Sequence, residues 1–63
     1  MIAEKISKYL KDNGIQRKYI AEKIKMPINV LSMTLNGKRR MQLEEFIAIV
    51  KVLNLDPNYF LDN

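Results

Sequence analysis

Apolar residues recur every three or four positions along most of the chain, which is the spacing of amphipathic helices. No segment alternates apolar and polar positions as a half-buried strand does. The spacing predicts five short helices, over residues 2–12, 16–24, 28–36, 43–53 and 58–61. Asn13–Gly14 follows the first helix and Asn36–Gly37 ends the third, and both pairs tolerate the left-handed backbone that ends a helix. The predicted fold is therefore all-α, a compact bundle of five short helices in one domain over residues 1–63.

The second and third predicted helices are separated by only about three residues, around Met26. Pro27 disfavours helical backbone at Met26, and we expect this proline in the first turn of the third helix, where its missing N–H costs nothing. Two helices joined so tightly must cross at a steep angle, so a small residue is needed where they touch, and Ala21 supplies it. The remaining space is expected to be filled by Ile24, Leu31 and Thr34. The pattern is that of a helix-turn-helix.

Composition excludes several classes of function. The 63 residues include no Cys and no His, so disulfides, thiolate zinc sites and catalysis by either side chain are absent. Glu44 and Glu45 are adjacent on a predicted helix and diverge, so they cannot act together on one substrate atom. The sequence also has no Gly-rich phosphate loop. We therefore expect no enzyme activity, no metal, no cofactor and no small-molecule substrate.

Hydropathy predicts a cytoplasmic protein. The longest apolar run, Phe46–Val50, is too short to span a membrane. Charged residues at Glu4 and Lys5 interrupt the region where a signal peptide needs apolar residues. No membrane partner is expected.

The net charge of +4 is unevenly distributed along the chain. Residues 1–40 carry a charge of +7, whereas residues 41–63 carry −3. A basic half joined to an acidic half suggests one surface that meets a polyanion and another that does not. Lysines that only solvate helices would give a similar sum, so charge alone leaves both interpretations open.

Residues of the third helix that face away from the second helix form one outward side and are candidate base contacts. They are Ile28, Asn29, Ser32, Met33 and Asn36. An α-helix fits the major groove of DNA, where Asn can pair with adenine, Ser can donate or accept, and apolar groups can meet the thymine methyl. Plainer interpretations exist, because single exposed apolar residues are common, Asn29 could bond to nearby backbone, and Asn36–Gly37 is an ordinary helix end.

Polar and basic residues bracket this outward side at both ends and are candidate phosphate contacts. Gln16, Arg17 and Lys18 begin the second helix, and Lys38, Arg39 and Arg40 follow the third. The positive end of the helix dipole and its free N–H groups favour an anion at the start of the second helix. Cations that neutralise phosphates release counterions, so binding would depend steeply on salt. A solvated run of charges is the alternative interpretation.

These segments resemble the Cro/cI-type helix-turn-helix family, also called the XRE family of phage and bacterial repressors. Gly14–Ile24 is similar to the family's segment from the end of helix 1 through helix 2, with Ile20–Ala21 as its apolar-Ala pair. Leu31–Arg39, whose sequence is LSMTLNGKR, is similar to the end of the family's recognition helix. Leu43–Leu55 and Asp56–Phe60 resemble its fourth and fifth helices.

The resemblance implies a lambda repressor-like domain that inserts its third helix into the major groove of double-stranded DNA, often as a dimer on a palindromic operator. By position, it implies base contacts for Ile28, Asn29, Ser32 and Met33, and either a base or a phosphate contact for Asn36. It implies phosphate contacts for Arg17, which stands where the family usually has Gln, and for Lys38 and Arg39.

Three residues depart from the family pattern. Lys25 stands where the turn usually has Gly, so either it adopts a left-handed conformation, at a cost of roughly 1 kcal/mol, or the turn differs. Pro27 replaces the usual Ser cap of the recognition helix. Thr34 replaces a usual Ile, and we expect it to loosen the core beneath it.

The leading hypothesis is a sequence-specific transcriptional regulator, a Cro-like repressor that acts as a homodimer. One recognition helix contacts few base pairs, so two symmetry-related copies would multiply specificity. The fifth helix and the acidic half, which phosphates repel, are the expected interface. The alternative is a protein-interaction module with the same fold, such as an antitoxin or anti-repressor. Tyr59, Phe60 and Leu61 could form a dimer or partner patch or simply close the core.

Overall fold

The computed structural model describes residues 2–61, so Met1, Asp62 and Asn63 of the predicted domain lie outside the described residues. Within that range the chain forms five helices and no strand. They are α1 (Ile2–Asp12), α2 (Arg17–Ile24), α3 (Ile28–Leu35), α4 (Leu43–Leu53) and α5 (Asn58–Leu61). The predicted all-α bundle of five short helices is confirmed. No helix in this range is long and apolar enough to cross a membrane.

All five helices contribute to one buried apolar cluster. Helix α1 packs on α3 and α5, and α2 packs on α3 and α4. The buried apolar residues are Ile6, Leu10, Ile20, Ala21, Leu31, Leu35, Phe46, Ile49, Val50 and Phe60. Full burial of a Leu, Ile or Phe side chain stabilises a fold by roughly 1.5–3 kcal/mol, so this cluster is the main source of stability. Ala21 is 3% exposed, in agreement with its predicted place where α2 meets α3.

Helix α5 closes the core through one aromatic residue. Phe60 is 2% exposed, and its ring lies edge-on to the rings of Tyr9 and Tyr59, with centroids 5.8 and 5.0 Å away. Tyr59 and Leu61 are exposed. Of the three residues predicted either to close the core or to form a partner patch, only Phe60 is buried.

Two predicted helix boundaries, the start of α2 and the end of α3, are wrong by one residue, whereas the predicted start of α3 at residue 28 is confirmed. Gln16 was expected to begin the second helix and Pro27 to lie in the first turn of the third, but both have a ψ of 141° and directly precede α2 and α3. The Pro27 carbonyl accepts the first bond of α3, from the N–H of Leu31 at 3.0 Å, so this proline is the N-cap residue rather than part of the first turn. Asn36 was expected in α3 but follows its last residue, Leu35.

The turn between α2 and α3 follows the first of the two alternatives given for Lys25. This residue is left-handed, with φ 59° and ψ 45°. The N–H of Met26 donates to the carbonyl of Ala21 at 2.9 Å, and the N–H of Lys25 donates to that of Glu22 at 3.4 Å. These two bonds end α2 in the way that is usual when a glycine occupies this position. The chain therefore changes direction sharply before α3 begins.

Candidate nucleic-acid interface

Helix α3 has one buried side and one accessible side. Leu31 and Thr34 are 0% and 1% exposed, and Leu35 is buried with them. The predicted base contacts lie on the accessible side, where Ser32 is half-buried and the exposed residues are Ile28, Asn29, Met33 and Asn36. The fold thus leaves this group accessible to a partner, while its contact with bases stays a prediction.

Two features of the accessible side favour recognition of another molecule. Ile28 and Met33 are 44% and 46% exposed, so one short helix presents two large apolar side chains to solvent. The side chain of Asn29 forms no hydrogen bond with any residue of the described range, so the alternative in which it bonds to nearby backbone is not found. Both its amide donors and its carbonyl acceptor are available to a base.

A hydrogen-bond network connects the start of α2 with the end of α3. The Arg17 guanidinium donates to Oδ1 of Asn36 at 3.1 Å and to Oγ of Ser7 at 3.4 Å. Ser7 in turn donates to the carbonyl of Leu35 at 3.1 Å. Both partners of Arg17 are neutral, so its positive charge is not cancelled where α2 begins.

The start of α2 is electropositive. The extended backbone of Gln16 leaves its side chain exposed, and this side chain makes no capping bond to the helix. The first turn contains no acidic residue and begins with Arg17 and Lys18. Free N–H groups, the helix dipole and two cations therefore act in the same direction, which is the arrangement that binds a phosphate.

The basic segment after α3, residues 38–40, has two cations directed outward and one directed inward. Lys38 and Arg40 are exposed. The Arg39 guanidinium instead donates two hydrogen bonds to the Glu45 carboxylate, at 2.9 and 2.7 Å, and one to Oγ1 of Thr34, at 2.8 Å. Arg39 was predicted to contact phosphate alongside its two neighbours, but its charge is already paired within the fold.

A helix-turn-helix family model matches residues 6–60, which is most of the chain. The chain belongs to the XRE-type helix-turn-helix family. Members of this family are DNA-binding regulators, and their domain has the lambda repressor-like fold. No curated protein and no solved structure matches the chain significantly. The resemblance inferred from the sequence is therefore confirmed at the level of the family.

Glu45 is the residue of this helix-turn-helix protein that sequence reasoning missed. Its carboxylate also accepts the N–H of Gln42 at 2.9 Å, which completes a capping box at the start of α4. A Glu at the third position of a helix can accept the N–H of the residue before that helix, so Glu45 at the start of the apolar run was the signal that could have revealed it. Hydrogen bonds from Arg39 lower the pKa of Glu45, partial burial opposes them, and the bond from Gln42 adds to the lowering.

Thr34 is buried, and its hydroxyl is fully hydrogen-bonded. The residue is 1% exposed, and the looser core expected beneath it stays a prediction. Its Oγ1 donates to the carbonyl of Val30 at 2.8 Å and accepts from Arg39. A buried hydroxyl with both kinds of partner carries no desolvation penalty for an unmade bond.

A second accessible surface of the helix-turn-helix protein is apolar. A groove of about 760 Å³ lies between the start of α1, residues 37–42, the start of α4 and the end of α5. Its apolar lining includes Ile2, Met41, Leu43, Phe46 and Leu61, and the basic residues Lys38, Arg39 and Arg40 lie along it as well. Leu43 is 73% exposed, so a large apolar side chain of the groove is open to solvent. We call this surface the α1/α4 groove.

Proposed function

We propose that this helix-turn-helix protein is a sequence-specific transcriptional regulator, a Cro-like repressor that inserts α3 into the major groove of its operator. One observation carries the proposal. The accessible side of α3 offers unbonded polar groups and exposed apolar groups, and exposed cations flank it at both ends of the helix pair. Base edges are read by such mixed groups, whereas phosphates on either side fix the register.

The proposed base contacts divide by chemistry. The side-chain NH2 group and carbonyl oxygen of Asn29 are both free, and together they suit the adjacent acceptor and donor of adenine. Ser32 can donate or accept, and Ile28 and Met33 suit thymine methyl groups. Asn36 differs, because its carbonyl oxygen accepts from Arg17 and only its amide donors are directed to a partner. We therefore assign Asn36 to an acceptor, either a phosphate oxygen or a base acceptor.

The proposed phosphate contacts lie on both sides of α3. Residues at the start of α2 form one group and residues after α3 the other; they are Gln16, Arg17, Lys18, Lys38 and Arg40. Arg39 is left out of this set because its guanidinium pairs with Glu45. Each phosphate neutralised adds about 0.9 to the slope of log affinity against log salt.

The α1/α4 groove is proposed as the surface on which a second copy of the chain docks. It adjoins the C-terminal end of α3, and we propose a twofold axis near it that places the two copies of α3 on the same side of the dimer. The Cα atoms of one copy extend over 28 by 21 by 21 Å, so two copies side by side can reach successive major grooves, which are about 34 Å apart. A palindromic operator follows from this symmetry.

The experiment is a binding assay on duplexes selected from a random library, for wild type and for N29A/S32A, across a salt series. We expect wild type to prefer the selected duplex, with a steep salt slope. The double variant should lose the preference and keep the slope, because the phosphate contacts are untouched. The variant K51Q, which removes one exposed cation from the acidic half, is the matched control and should change neither. A wild type without preference over random duplex would contradict the proposal and favour the protein-interaction module.

A further inference from the structure

The three consecutive cations after α3 differ in what they contact, although the sequence presents them as equals. We propose that Arg39 is a positioning residue and not a phosphate contact, and that its pairing with Glu45 and Thr34 directs Lys38 and Arg40 toward the DNA backbone. This inference rests on the proposed function, because it takes those two outer cations as phosphate contacts.

The contacts of Arg39 are those of a fixed side chain. Its guanidinium makes two parallel hydrogen bonds to both oxygens of the Glu45 carboxylate, at 2.9 and 2.7 Å. Charge-assisted bonds of this forked geometry are among the stronger and more directional in proteins. The Arg39 and Glu45 side chains are 33% and 18% exposed, so solvent competes with the pair less than it does for a surface pair such as Lys8–Asp12, at 75% and 53%.

Each partner of Arg39 is itself held in place by a helix. Thr34 lies in the last turn of α3, and its hydroxyl donates to the carbonyl of Val30. Glu45 lies in the first turn of α4 and accepts the N–H of Gln42. Arg39 therefore joins the end of the recognition helix to the start of α4 across the loop of residues 36–42, and it fixes the backbone of that loop at its middle.

The direction of the neighbouring cations follows from this attachment. Lys38 and Arg40 are exposed on either side of the inward Arg39. The backbone of Lys38 is also held by its N–H bond to the carbonyl of Met33 at 2.8 Å, so loss of the attachment would free mainly the segment at Arg39 and Arg40. With the attachment, the loop presents two unneutralised cations beside the end of α3, and the third positive charge is cancelled by a carboxylate.

The direction in which one substitution changes the affinity for DNA distinguishes the two roles. If Arg39 contacted phosphate, E45Q would remove a negative charge near DNA and leave that contact in place, so binding would tighten without a change in the salt slope. If Arg39 positions its neighbours, E45Q would loosen the loop and weaken binding. The loss expected is about tenfold, the lower end of what removal of an orienting partner costs at metal sites. The slope should stay unchanged.

The experiment measures affinity and salt slope for wild type, E45Q, R39Q and R40Q on a selected duplex and on a random duplex. R39Q should weaken binding about as much as E45Q does, and R39Q/E45Q should be no weaker than either single variant, because both remove one attachment. R40Q is the matched control, an adjacent Arg whose loss should lower the slope by about 0.9. Circular dichroism at the assay temperature establishes that each variant is folded.

A second route covers the case in which loss of the carboxylate unfolds the protein. T34V keeps the volume of the buried side chain and removes the hydroxyl that accepts from Arg39 and donates to the carbonyl of Val30. It should weaken binding with an unchanged slope and leave the charge of the protein as it was. Binding unaltered by T34V, E45Q and R39Q, despite lower melting temperatures, would show a purely structural role and overturn the proposal.

Failure of the inference and failure of the proposed function have different signatures. Tighter binding by E45Q, or a slope that falls by about 0.9 in R39Q, would return Arg39 to the phosphate contacts while leaving a DNA-binding regulator intact. A wild type with no preference for the selected duplex would refute sequence-specific regulation. The sign of the E45Q effect on random duplex would still decide the role of Arg39.

Discussion

Lys25 connects α2 to the turn before α3, and its backbone is left-handed, with φ 59°. A residue with a Cβ atom occupies this region at a cost of roughly 1–2 kcal/mol. Asn54 ends α4 in nearly the same conformation, with φ 58°, but asparagine tolerates it better because its short polar side chain bonds locally. The strain therefore lies mainly at Lys25, where the angle between α2 and α3 is set.

Replacing Lys25 by glycine is expected to stabilise the protein. K25G removes the Cβ penalty and adds backbone entropy to the unfolded chain, and the balance is about 0.5–1 kcal/mol in favour of folding. The melting temperature should rise by about 2–8 °C for a domain of this size. K25A is the matched control, because it removes the same long side chain but keeps the Cβ atom, and it should not stabilise. Equal melting temperatures for K25G and K25A would contradict strain at this position.

Asn36 provides a second prediction at the scale of one residue. N36D keeps the acceptor that Arg17 bonds and replaces the outward donors with a second carboxylate oxygen. We expect little change in stability, because an exposed pair of this kind contributes about 0–1 kcal/mol. DNA binding should weaken on every duplex, since a negative charge would face an acceptor. Titration of labelled duplexes with N36D and with N36A, which lacks the charge, measures the effect. Unchanged binding by N36D would mean that Asn36 faces away from DNA.

At the scale of elements, periodicity predicted all five helices, and the deviations are confined to their ends. A period of three to four residues indicates which side of a helix is buried, so the buried sides of α1 and α4 were predictable from the sequence. The position of an end depends on one backbone angle, and Pro27 has a φ that suits the residue before a helix as well as the first residue inside it. The end of α3 was ambiguous for the same reason, because Asn36 can either continue a helix or cap it.

The link between α3 and α4 is expected to depend on pH. Hydrogen bonds from Arg39 lower the pKa of Glu45, so the folded state favours its ionised form. A lowered pKa contributes stability that is complete above the unfolded pKa, about 4.3, and is lost as the pH falls through the lower folded value. Wild type should therefore exceed E45Q in stability by a constant margin near pH 6–7, and by a shrinking one below about pH 4.3.

Denaturant unfolding of wild type and E45Q at several pH values between 7 and 3 tests this expectation. E44Q is the control, because it removes a neighbouring exposed acidic residue from the first turn of α4 and leaves the Arg39 pair intact. A margin between wild type and E45Q that widened on acidification would contradict the assigned direction of the Glu45 shift.

At the scale of the whole molecule, the sequence predicted where cations accumulate but not which of them are available. Counting charges along the chain cannot distinguish Arg39 from Lys38 and Arg40, because the distinction arises when residues 36–42 close and bring Arg39 to Glu45. The two partners are six residues apart, which matches no helical spacing. The hydrogen bond between Arg17 and Asn36, nineteen residues apart, could not be predicted from the sequence either, because it depends on how α2 and α3 pack together.

The proposed dimer gives the last prediction, and Leu43 is the residue that tests it. Its side chain is 73% exposed in the α1/α4 groove, so a charge there costs little in the monomer but would have to be desolvated in a dimer. We expect sedimentation of wild type at high micromolar concentration to show a dimer and L43E to sediment as a monomer. Y19E places the same charge at another exposed apolar residue, outside the groove, and should still dimerise.

DNA binding extends this test to function. A dimer gains its affinity for a palindrome from two half-sites, whereas a monomer binds each half-site alone. L43E should therefore bind a palindromic duplex no more tightly than a duplex with one half-site, whereas wild type should bind the palindrome more tightly. If wild type is a monomer both free and on the palindrome, the groove does not bind a second copy. If L43E remains a dimer, the copies associate through another surface, and the exposed Leu43 then requires a different partner.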